Sequence, residues 1–333
     1  ARFRDRAYDW PLPPTAAIGS DMQLHQLRYV LEVYRRGNHI SSAAEALNTS
    51  QPGISRQIRQ LETELGFDIF ERSRSRIVSV TVAGREFIGS AERIIRKVEQ
   101  IRRIRGDNSE AKAGRLTIST THTFARYVLP NVVAEFLRKQ PGVQIGLLQA
   151  IPTEVCENVQ EGRAELGVTP EPQKSFLGLV WLPILKIKRI VIAPRDHPIA
   201  KLETITLEEL AKFPLIGHDS YRSGGRTIID TFTKEGLTPL VPFAGIHSDV
   251  AKTYVGIGLG IAITASIVYD PDRDRNLVSR DVSDLFPSTT AYVTFRKSSF
   301  LRKIEIDFMK QLSPGLTRQK IHESREKNRG YPS

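Results

Sequence analysis

The sequence predicts two fold classes in one chain: a winged helix-turn-helix, made of helices with a small β wing, followed by a two-lobed α/β region. Before residue 67, three short segments show the apolar spacing of helices and are separated by turn residues. From residue 114 onward, strand patterns alternate with helix patterns, which is typical of a parallel sheet. A length of 333 residues also favours more than one domain.

The domain boundaries follow from changes of pattern along the chain. Residues 1–21 are proline-rich and aperiodic, so we expect a disordered extension there. The remaining predicted segments are a winged helix-turn-helix domain at 22–81, a linker and dimerisation helix at 82–106, a first lobe at 114–184 and 288–315, a second lobe at 185–287, and a basic tail at 316–333.

Three helices are predicted in the helix-turn-helix. The first is indicated by apolar residues at helical spacing, which are Leu24, Leu27, Leu31 and Tyr34. A short alanine-rich helix follows, and we expect the hydroxyl of Ser41 or Ser42 to cap it. The third helix begins at Ser50 or the next residue, has Pro52 in its first turn, and ends at Gly66.

A basic segment connects the helix-turn-helix to the α/β region. Residues 70–81 are predicted to form a hairpin wing whose tip carries Arg72, Arg74 and Arg76. Residues 71–106 hold ten Lys or Arg against four Asp or Glu. Such a concentration of positive charge suits a nucleic-acid backbone, while an anionic membrane surface and an ordinary solvated helix face are the alternatives.

The helix after the wing carries an apolar seam at heptad spacing. Its members are Phe87, Ala91, Ile94, Val98 and Ile101. Packing of the seam against its own domain is one explanation, and pairing with a second copy of the chain is the explanation we favour. Residues 106–109 are expected to end this helix as a hinge.

The α/β region is predicted to form two lobes with a cleft between them. In the first lobe we predict strands at 116–119, 143–149 and 164–168, with one helix reaching residue 140 and another starting at 152. A second block of similar pattern has strands at 190–193, 214–216 and 260–264. The strand at 291–295 and the helix at 301–312 are expected to return to the first lobe.

Several classes of protein are excluded by composition. The single cysteine, Cys156, permits neither an internal disulfide nor a cysteine-rich zinc site, and favours a cytoplasmic location. No apolar run approaches the roughly 20 residues that span a bilayer. Asp neighbours His197 and His218 and lies near His247, but none of these lies in a nucleophile-elbow pattern, so we expect no catalysis. The seven histidines and the lone cysteine offer no ligand spacing for a metal, and we expect neither a metal nor a cofactor.

Short motifs in the chain carry a family resemblance. They are SSAAEAL at 41–47, SQPGIS at 50–55, LE at 61–62, LG at 65–66, IFER at 69–72 and TVAG at 81–84. With these motifs the chain resembles LysR-type transcriptional regulators from about residue 22 to 316. The segments 119–127, 196–198, 253–255, 258–261 and 295–302 are similar to the CysB-like branch, which controls sulfur assimilation. The resemblance implies a linker helix, a periplasmic-binding-protein-like effector domain, and a homodimer or homotetramer.

The base-reading residues are predicted on the third helix of the chain. It is the second helix of the helix-turn-helix motif, and that helix reads base edges in the major groove. We expect Gln51 to read adenine and Arg56 to read guanine, each contributing about 1–3 kcal/mol of discrimination. Phosphate contact is the alternative for Arg59. The predicted residues are Ser41, Ser42, Ser50, Gln51, Pro52, Ser55, Arg56, Arg59, Arg74 and Arg76.

The resemblance places a small anionic effector in the cleft between the lobes. Thr121 and Thr123 stand where a helix opens after a strand and offers free N–H groups; simple capping by these threonines is the alternative. The predicted effector-binding residues are Thr121, Thr123, Thr153, Thr169, Ser223 and Arg226. Phe124 stands where the branch has Gln, so sulfate, an acetylserine, an organosulfonate and an aromatic or other carboxylate are all candidates.

The predicted function is regulation of transcription by an effector-responsive protein that binds double-stranded promoter DNA, with RNA polymerase as a further candidate partner. The competing class is a ligand-binding protein or enzyme whose N-terminal helices mediate only oligomerisation. Specific binding to a palindromic promoter fragment separates the two classes, because the second predicts none.

Overall fold

The computed structural model describes residues 22–73, 76–106, 114–172, 174–218, 223–245 and 247–327. The chain divides into a head unit that ends at Arg103 and a second unit that begins at Ile104. The predicted extension at 1–21, residues 107–109 of the predicted hinge and the wing residue Arg74 lie outside the described residues.

The head unit contains the predicted helix-turn-helix and its wing. Its elements are α1 (Leu24–Arg35), α2 (Ile40–Ala46), α3 (Gln51–Leu65), β1 (Phe70–Ser73), β2 (Arg76–Val80) and α4 (Val82–Gly106). Leu27, Leu31, Ile54, Ile58 and Leu61 form its buried core, so α1 and α3 present their opposite faces outward. β1 and β2 pair antiparallel as the wing. The predicted fold class of this unit is confirmed.

The ends of the helices test the capping predictions. Ser50 caps α3 as predicted, because its Oγ accepts from the Gly53 N–H at 3.2 Å. Gly66 ends α3 in the left-handed region. The predicted cap of α2 is wrong: Ser41 and Ser42 lie inside the helix, whose N-cap His39 makes no side-chain capping bond within the described head. The packing of Ile40 against the core explains the earlier start.

Helix α4 has two sets of apolar residues, one buried against the head and one exposed. Ile88, Ala91 and Ile95 are buried in the core of the head, and Phe87 packs on that core edge-to-face with Phe67. The more distal members of the predicted seam remain open, with Ile94 39% and Ile101 67% exposed. Packing against its own domain therefore accounts for Ala91, whereas the exposed stripe stays available to a partner.

The first lobe, lobe I, is built on a five-stranded sheet. Its elements are β3 (Arg115–Thr120), α5 (His122–Tyr127), α6 (Leu129–Lys139), β4 (Gln144–Gln149), α7 (Pro152–Gln160), β5 (Leu166–Pro170), β6 (Leu179–Ile187), β12 (Thr289–Arg296), α11 (Lys303–Leu312) and α12 (Arg318–Lys327). The strand order is β4-β3-β5-β12-β6, with β3 parallel to β4 and β5. β12 runs antiparallel between β5 and β6, so the predicted return of this strand to lobe I is confirmed.

Lobe I also departs from the predicted pattern. The single helix predicted up to residue 140 is two helices that meet at Val128, and α6 has Pro130 in its first turn. Proline offers no N–H to a preceding turn, so the hydrogen bonds of α5 do not continue through it. The long strand β6 was not predicted. Lobe I also continues beyond residue 315, because α12 lies there and its Ile321 is buried in the lobe I core.

The second lobe, lobe II, has a mixed architecture. Its elements are β7 (Arg189–Pro194), α8 (Leu207–Ala211), β8 (Ile216–His218), α9 (Ser223–Lys234), β9 (Phe243–Gly245), α10 (Ser248–Gly256), β10 (Ala262–Ala265) and β11 (Leu277–Asp281). β8 and β9 are parallel, but β7 lies antiparallel between β10 and β11. The prediction of parallel strands is wrong for that sheet, because a short apolar run indicates a buried strand without fixing its direction.

Candidate nucleic-acid interface and interlobe cleft

The outer face of α3 gathers most of the predicted base-reading residues. A shallow recess of about 550 Å³ follows this face. It is lined by Gln51, Pro52, Ser55, Arg56, Arg59, Gln60 and Thr63. Two guanidinium groups and several amide and hydroxyl groups therefore share one exposed surface, which is the chemistry that reads base edges and phosphates.

Helix α3 is held in place from behind. Ile54, Ile58 and Leu61 are buried in the head core. Toward the start of α1, Gln57 Oε1 accepts from Gln26 Nε2 at 3.2 Å and lies 3.1 Å from His25 Nε2. These contacts hold α3 against α1 and do not use the side chains of Gln51, Arg56 or Arg59.

The wing is anchored to α3 by the buried carboxylate of Glu62. Its Oε1 accepts from the N–H groups of Ile69 and Phe70 at 2.8 and 3.1 Å, and its Oε2 lies 2.6 Å from Arg72 Nη2. The predicted place of Arg72 at the wing tip is therefore wrong. A register shift between Glu71 and Arg72 turns this side chain inward. Of the remaining wing cations, Arg76 is exposed.

The predicted serines differ in their availability to DNA. Ser41 is exposed and Ser42 half-buried on α2. Ser50 is exposed, but its hydroxyl already accepts from Gly53 as the cap of α3. In the capping bond the Ser50 hydroxyl is the acceptor, so its hydrogen is still available. A phosphate contact by Ser50 would use that hydrogen as the donor.

Three of the predicted effector residues lie near one edge of lobe I. Thr121 and Thr123 are half-buried at the start of α5, and Thr153 is half-buried in the first turn of α7. α5 and α7 follow the carboxyl ends of β3 and β4, and such ends of neighbouring parallel strands are where α/β folds bind ligands. Among the described residues, the Thr121 hydroxyl makes no capping bond to α5.

Thr169 lies at the same carboxyl edge of the sheet, since its neighbour Val168 pairs with Thr120, but it differs from the other three in its burial. Thr169 is fully buried at the end of β5, and its hydroxyl donates to the Pro170 carbonyl at 2.9 Å. The sequence predicts that Thr169 lies at the end of a strand, but it does not predict whether the side chain there is buried or exposed. α9 begins at Ser223 as expected, but the side chains of Ser223 and Arg226 lie outside the described part of the chain.

Phe124 does not line the cleft, although its identity was expected to alter the effector. Its ring is 3% exposed and belongs to the lobe I core with Ile118 and Leu129. The aromatic residue at this position therefore adds packing to lobe I rather than an apolar wall to the ligand site.

A charged cluster that sequence reasoning missed joins the two lobes at the same edge. His122 Nε2 of α5 lies 3.1 Å from Asp249 Oδ2 of α10, and Arg126 Nε lies 3.7 Å from the same oxygen. The His122 and His247 rings are 4.2 Å apart. Burial alone would raise the pKa of the Asp249 carboxyl, but the hydrogen bond and charge of His122 outweigh it, and the pKa lies below its ordinary value.

Over the described ranges, His, Cys, Asp and Glu form no group of three that could hold a metal ion. The helices in these ranges include none with the length and apolarity needed to cross a bilayer.

A helix-turn-helix with a basic recognition face, carried on a chain with a two-lobed α/β unit, defines a DNA-binding regulator with a ligand-binding domain. The family model for bacterial regulatory helix-turn-helix proteins of the lysR family matches residues 24–85, and that for the LysR substrate binding domain matches 109–315. The chain therefore belongs to the LysR family of DNA-binding transcriptional regulators.

Relatives within this family share nearly the whole chain. The HTH-type transcriptional regulator CysB of Burkholderia cenocepacia is 40% identical over 91% of this chain and 97% of its own length. The regulator SsuR of the same organism is 36% identical over 90% of this chain and 97% of its own length. The crystal structure of the cofactor-binding domain of the Cbl transcriptional regulator matches with a TM-score of 0.61 and 32% identity, and covers 66% of this chain and 96% of that domain.

Proposed function

We propose that this regulator selects a promoter sequence with the exposed face of α3 and responds to a small oxyanion of sulfur metabolism. The grouping of Gln51, Arg56 and Arg59 on one open face carries the DNA-binding part of the proposal. The relatives CysB and SsuR, similar over nine tenths of the chain, support the sulfur-linked part. The protein acts in the cytoplasm, where its DNA is, and is not an enzyme.

Four of the predicted DNA-binding residues have distinct roles in this proposal. Gln51 and Arg56 read bases, because they stand in the first two turns of a helix whose N-terminal part enters the major groove. Arg59, about two turns after the start of α3, and Arg76 on β2 contact phosphates. These phosphate contacts position the head without selecting a sequence.

Replacing Arg56 with alanine is expected to weaken binding to the selected operator by about 5- to 150-fold, which corresponds to about 1–3 kcal/mol. Random DNA should lose much less, because a base contact contributes nothing there. The measurement is fluorescence anisotropy on an operator obtained by selection from random sequences, alongside a scrambled duplex. Arg138→Ala removes an exposed arginine of lobe I and serves as the matched control.

An equal loss on both duplexes would assign Arg56 to phosphate instead. Failure of the unmodified protein to select any operator would contradict the proposed function as a whole.

The exposed stripe of α4 is proposed to join two copies of the chain. Ile94 and Ile101 are exposed on a different side of the helix from the buried Ala91 and Ile95, and the half-buried Val98 lies between them in the heptad. Burying such a stripe against its copy removes apolar surface from water and forms a two-helix seam. A symmetric dimer presents two recognition helices to the two halves of a palindromic operator.

The effector is proposed to be a sulfur oxyanion that contacts the hydroxyls of Thr121, Thr123 and Thr153. Organosulfonates share this chemistry, and carboxylates are the second candidate class. At 100 times its dissociation constant, the effector is expected to stabilise the protein by about 2.7 kcal/mol. A thermal-shift screen of sulfate, thiosulfate, acetylserines, alkanesulfonates and aromatic carboxylates measures this, and a response to carboxylates alone would replace the sulfur oxyanion with that class.

A further inference from the structure

We propose that Asp249 of lobe II is a built-in competitor of the effector: its carboxylate occupies the His122–Arg126 pair of lobe I, and a small oxyanion binds that pair by displacing it. This inference rests on the proposed anionic effector, and it adds two binding residues and a regulatory contact to the threonines already named. The displaced contact is one that joins the lobes, so displacement changes how they are held together.

The geometry of the pair suits an oxyanion. His122 and Arg126 are four residues apart on α5, a spacing that brings two side chains to one face of a helix. Both direct a nitrogen at a single oxygen, Asp249 Oδ2, at 3.1 and 3.7 Å. A sulfate, sulfonate or carboxylate offers oxygens of the same charge and size to the same two nitrogens.

The two oxygens of Asp249 have different tasks. Oδ1 accepts from the N–H of Val250 at 3.1 Å in the first turn of α10, where a carboxylate also favours the helix dipole. Oδ2 reaches across to lobe I. The start of α10 is served by Oδ1, so local helix capping does not explain why the carboxylate extends to His122 and Arg126.

The surroundings fix His122 and leave the contact open to exchange. Gln149 Oε1 at the end of β4 lies 3.4 Å from His122 Nδ1, and the His247 ring stacks on the imidazole. Lys252, also on α10, is 2.8 Å from Asp274 and lies over the Tyr127 ring. The Arg126 side chain is 56% exposed, and ion pairs with such exposure are weak enough for a free anion to replace.

The test uses sulfate as the probe and the full-length protein at constant ionic strength, with chloride as the balancing anion. Asp249→Asn keeps the size of the side chain and its bond to Val250, so the variant should fold. Removing the competing charge should make sulfate bind about two- to fivefold more tightly, measured by calorimetry or thermal shift. Glu203→Gln removes an exposed carboxylate from the same lobe and should leave the sulfate affinity unchanged.

Adding Arg126→Gln to the Asp249→Asn variant should remove the gain, because the pair that receives the anion is then incomplete. Sulfate affinity that is equal in the wild type and Asp249→Asn, or no sulfate binding to Asp249→Asn, would overturn the proposal. Equal affinities leave operator selection and the oxyanion effector intact. Failure of the unmodified protein to respond to any oxyanion in the thermal-shift screen would instead contradict the proposed effector.

An interlobe distance gives a second, ligand-independent readout. Spin labels at Lys139→Cys on lobe I and Glu235→Cys on lobe II report the separation of the lobes. The native Cys156 should not take the label, because burial raises the pKa of its thiol to about 12. Asp249→Asn should broaden the distance distribution in sulfate-free buffer, and an unchanged distribution would also overturn the proposal.

Discussion

Replacing Glu62 with alanine is expected to destabilise the head unit by about 3–5 kcal/mol, the range observed when one partner of a buried ion pair is removed. The Glu62 side chain is 4% exposed, and its loss leaves Arg72 Nη2 and the N–H groups of Ile69 and Phe70 without the carboxylate that accepts from them. DNA binding should fall as well, because the wing is then no longer fixed to the recognition helix. Hydrogen exchange of β1 and β2 together with operator affinity measures both effects.

The matched control for Glu62 is Glu45→Ala, which removes an exposed glutamate from α2. Surface substitutions of this kind usually change stability by about 0.5 kcal/mol or less. If the two variants show the same exchange rates in the wing, Glu62 does not anchor it.

Replacing Gly84 with alanine is expected to cost about 3 kcal/mol through overpacking. A Cβ at this position would lie 2.1 Å from the Ile69 carbonyl oxygen and 2.8 Å from its carbon. Ile69 cannot easily move, since its N–H is bound by Glu62 and its carbonyl accepts from the Thr81 N–H at 3.1 Å. The strain therefore separates the start of α4 from the wing, and the melting temperature of the head should fall.

Gly89→Ala on the same helix is the opposite case. A Cβ at this position would have the end of the Arg93 side chain as its nearest neighbour, at 3.9 Å, which is ordinary contact. Alanine at an unstrained helical position stabilises by about 0.4–1 kcal/mol. Equal effects of the two substitutions would show that helix propensity, and not the contact with Ile69, determines the result at Gly84.

The features that sequence predicts well are those with local causes. Ser50, Pro52 and Gly66 define the start and end of α3 through their own hydroxyl, ring and backbone, and the structure places both ends there. The apolar spacing in α1 and α3 likewise predicts the head core. The inward turn of Arg72 was missed because a register shift in the wing reverses the side to which its side chain points.

The ligand site shows the limit of the same reasoning. His122 and Asp249 are 127 residues apart, and their contact depends on how the two lobes meet, which no local pattern encodes. Phe124 was expected to alter the choice of effector, but its ring lies in the lobe I core, because helical spacing cannot tell which face of a short helix is buried. A carboxylate in the first turn of α10, facing a His and an Arg spaced four apart, is recognisable only once the topology is known.

The position of β12 in the sheet also affects when lobe I can finish folding during synthesis. Arg189 and Thr289 are hydrogen-bonded although 100 residues separate them, and the strand that starts at Thr289 lies in the interior of the lobe I sheet. Because chains fold from the N-terminus as they are synthesised, the head and lobe II emerge before that strand is available. The cost of closing so long a loop falls on this last step. We therefore expect completion of the lobe I sheet to be a late event in biosynthesis.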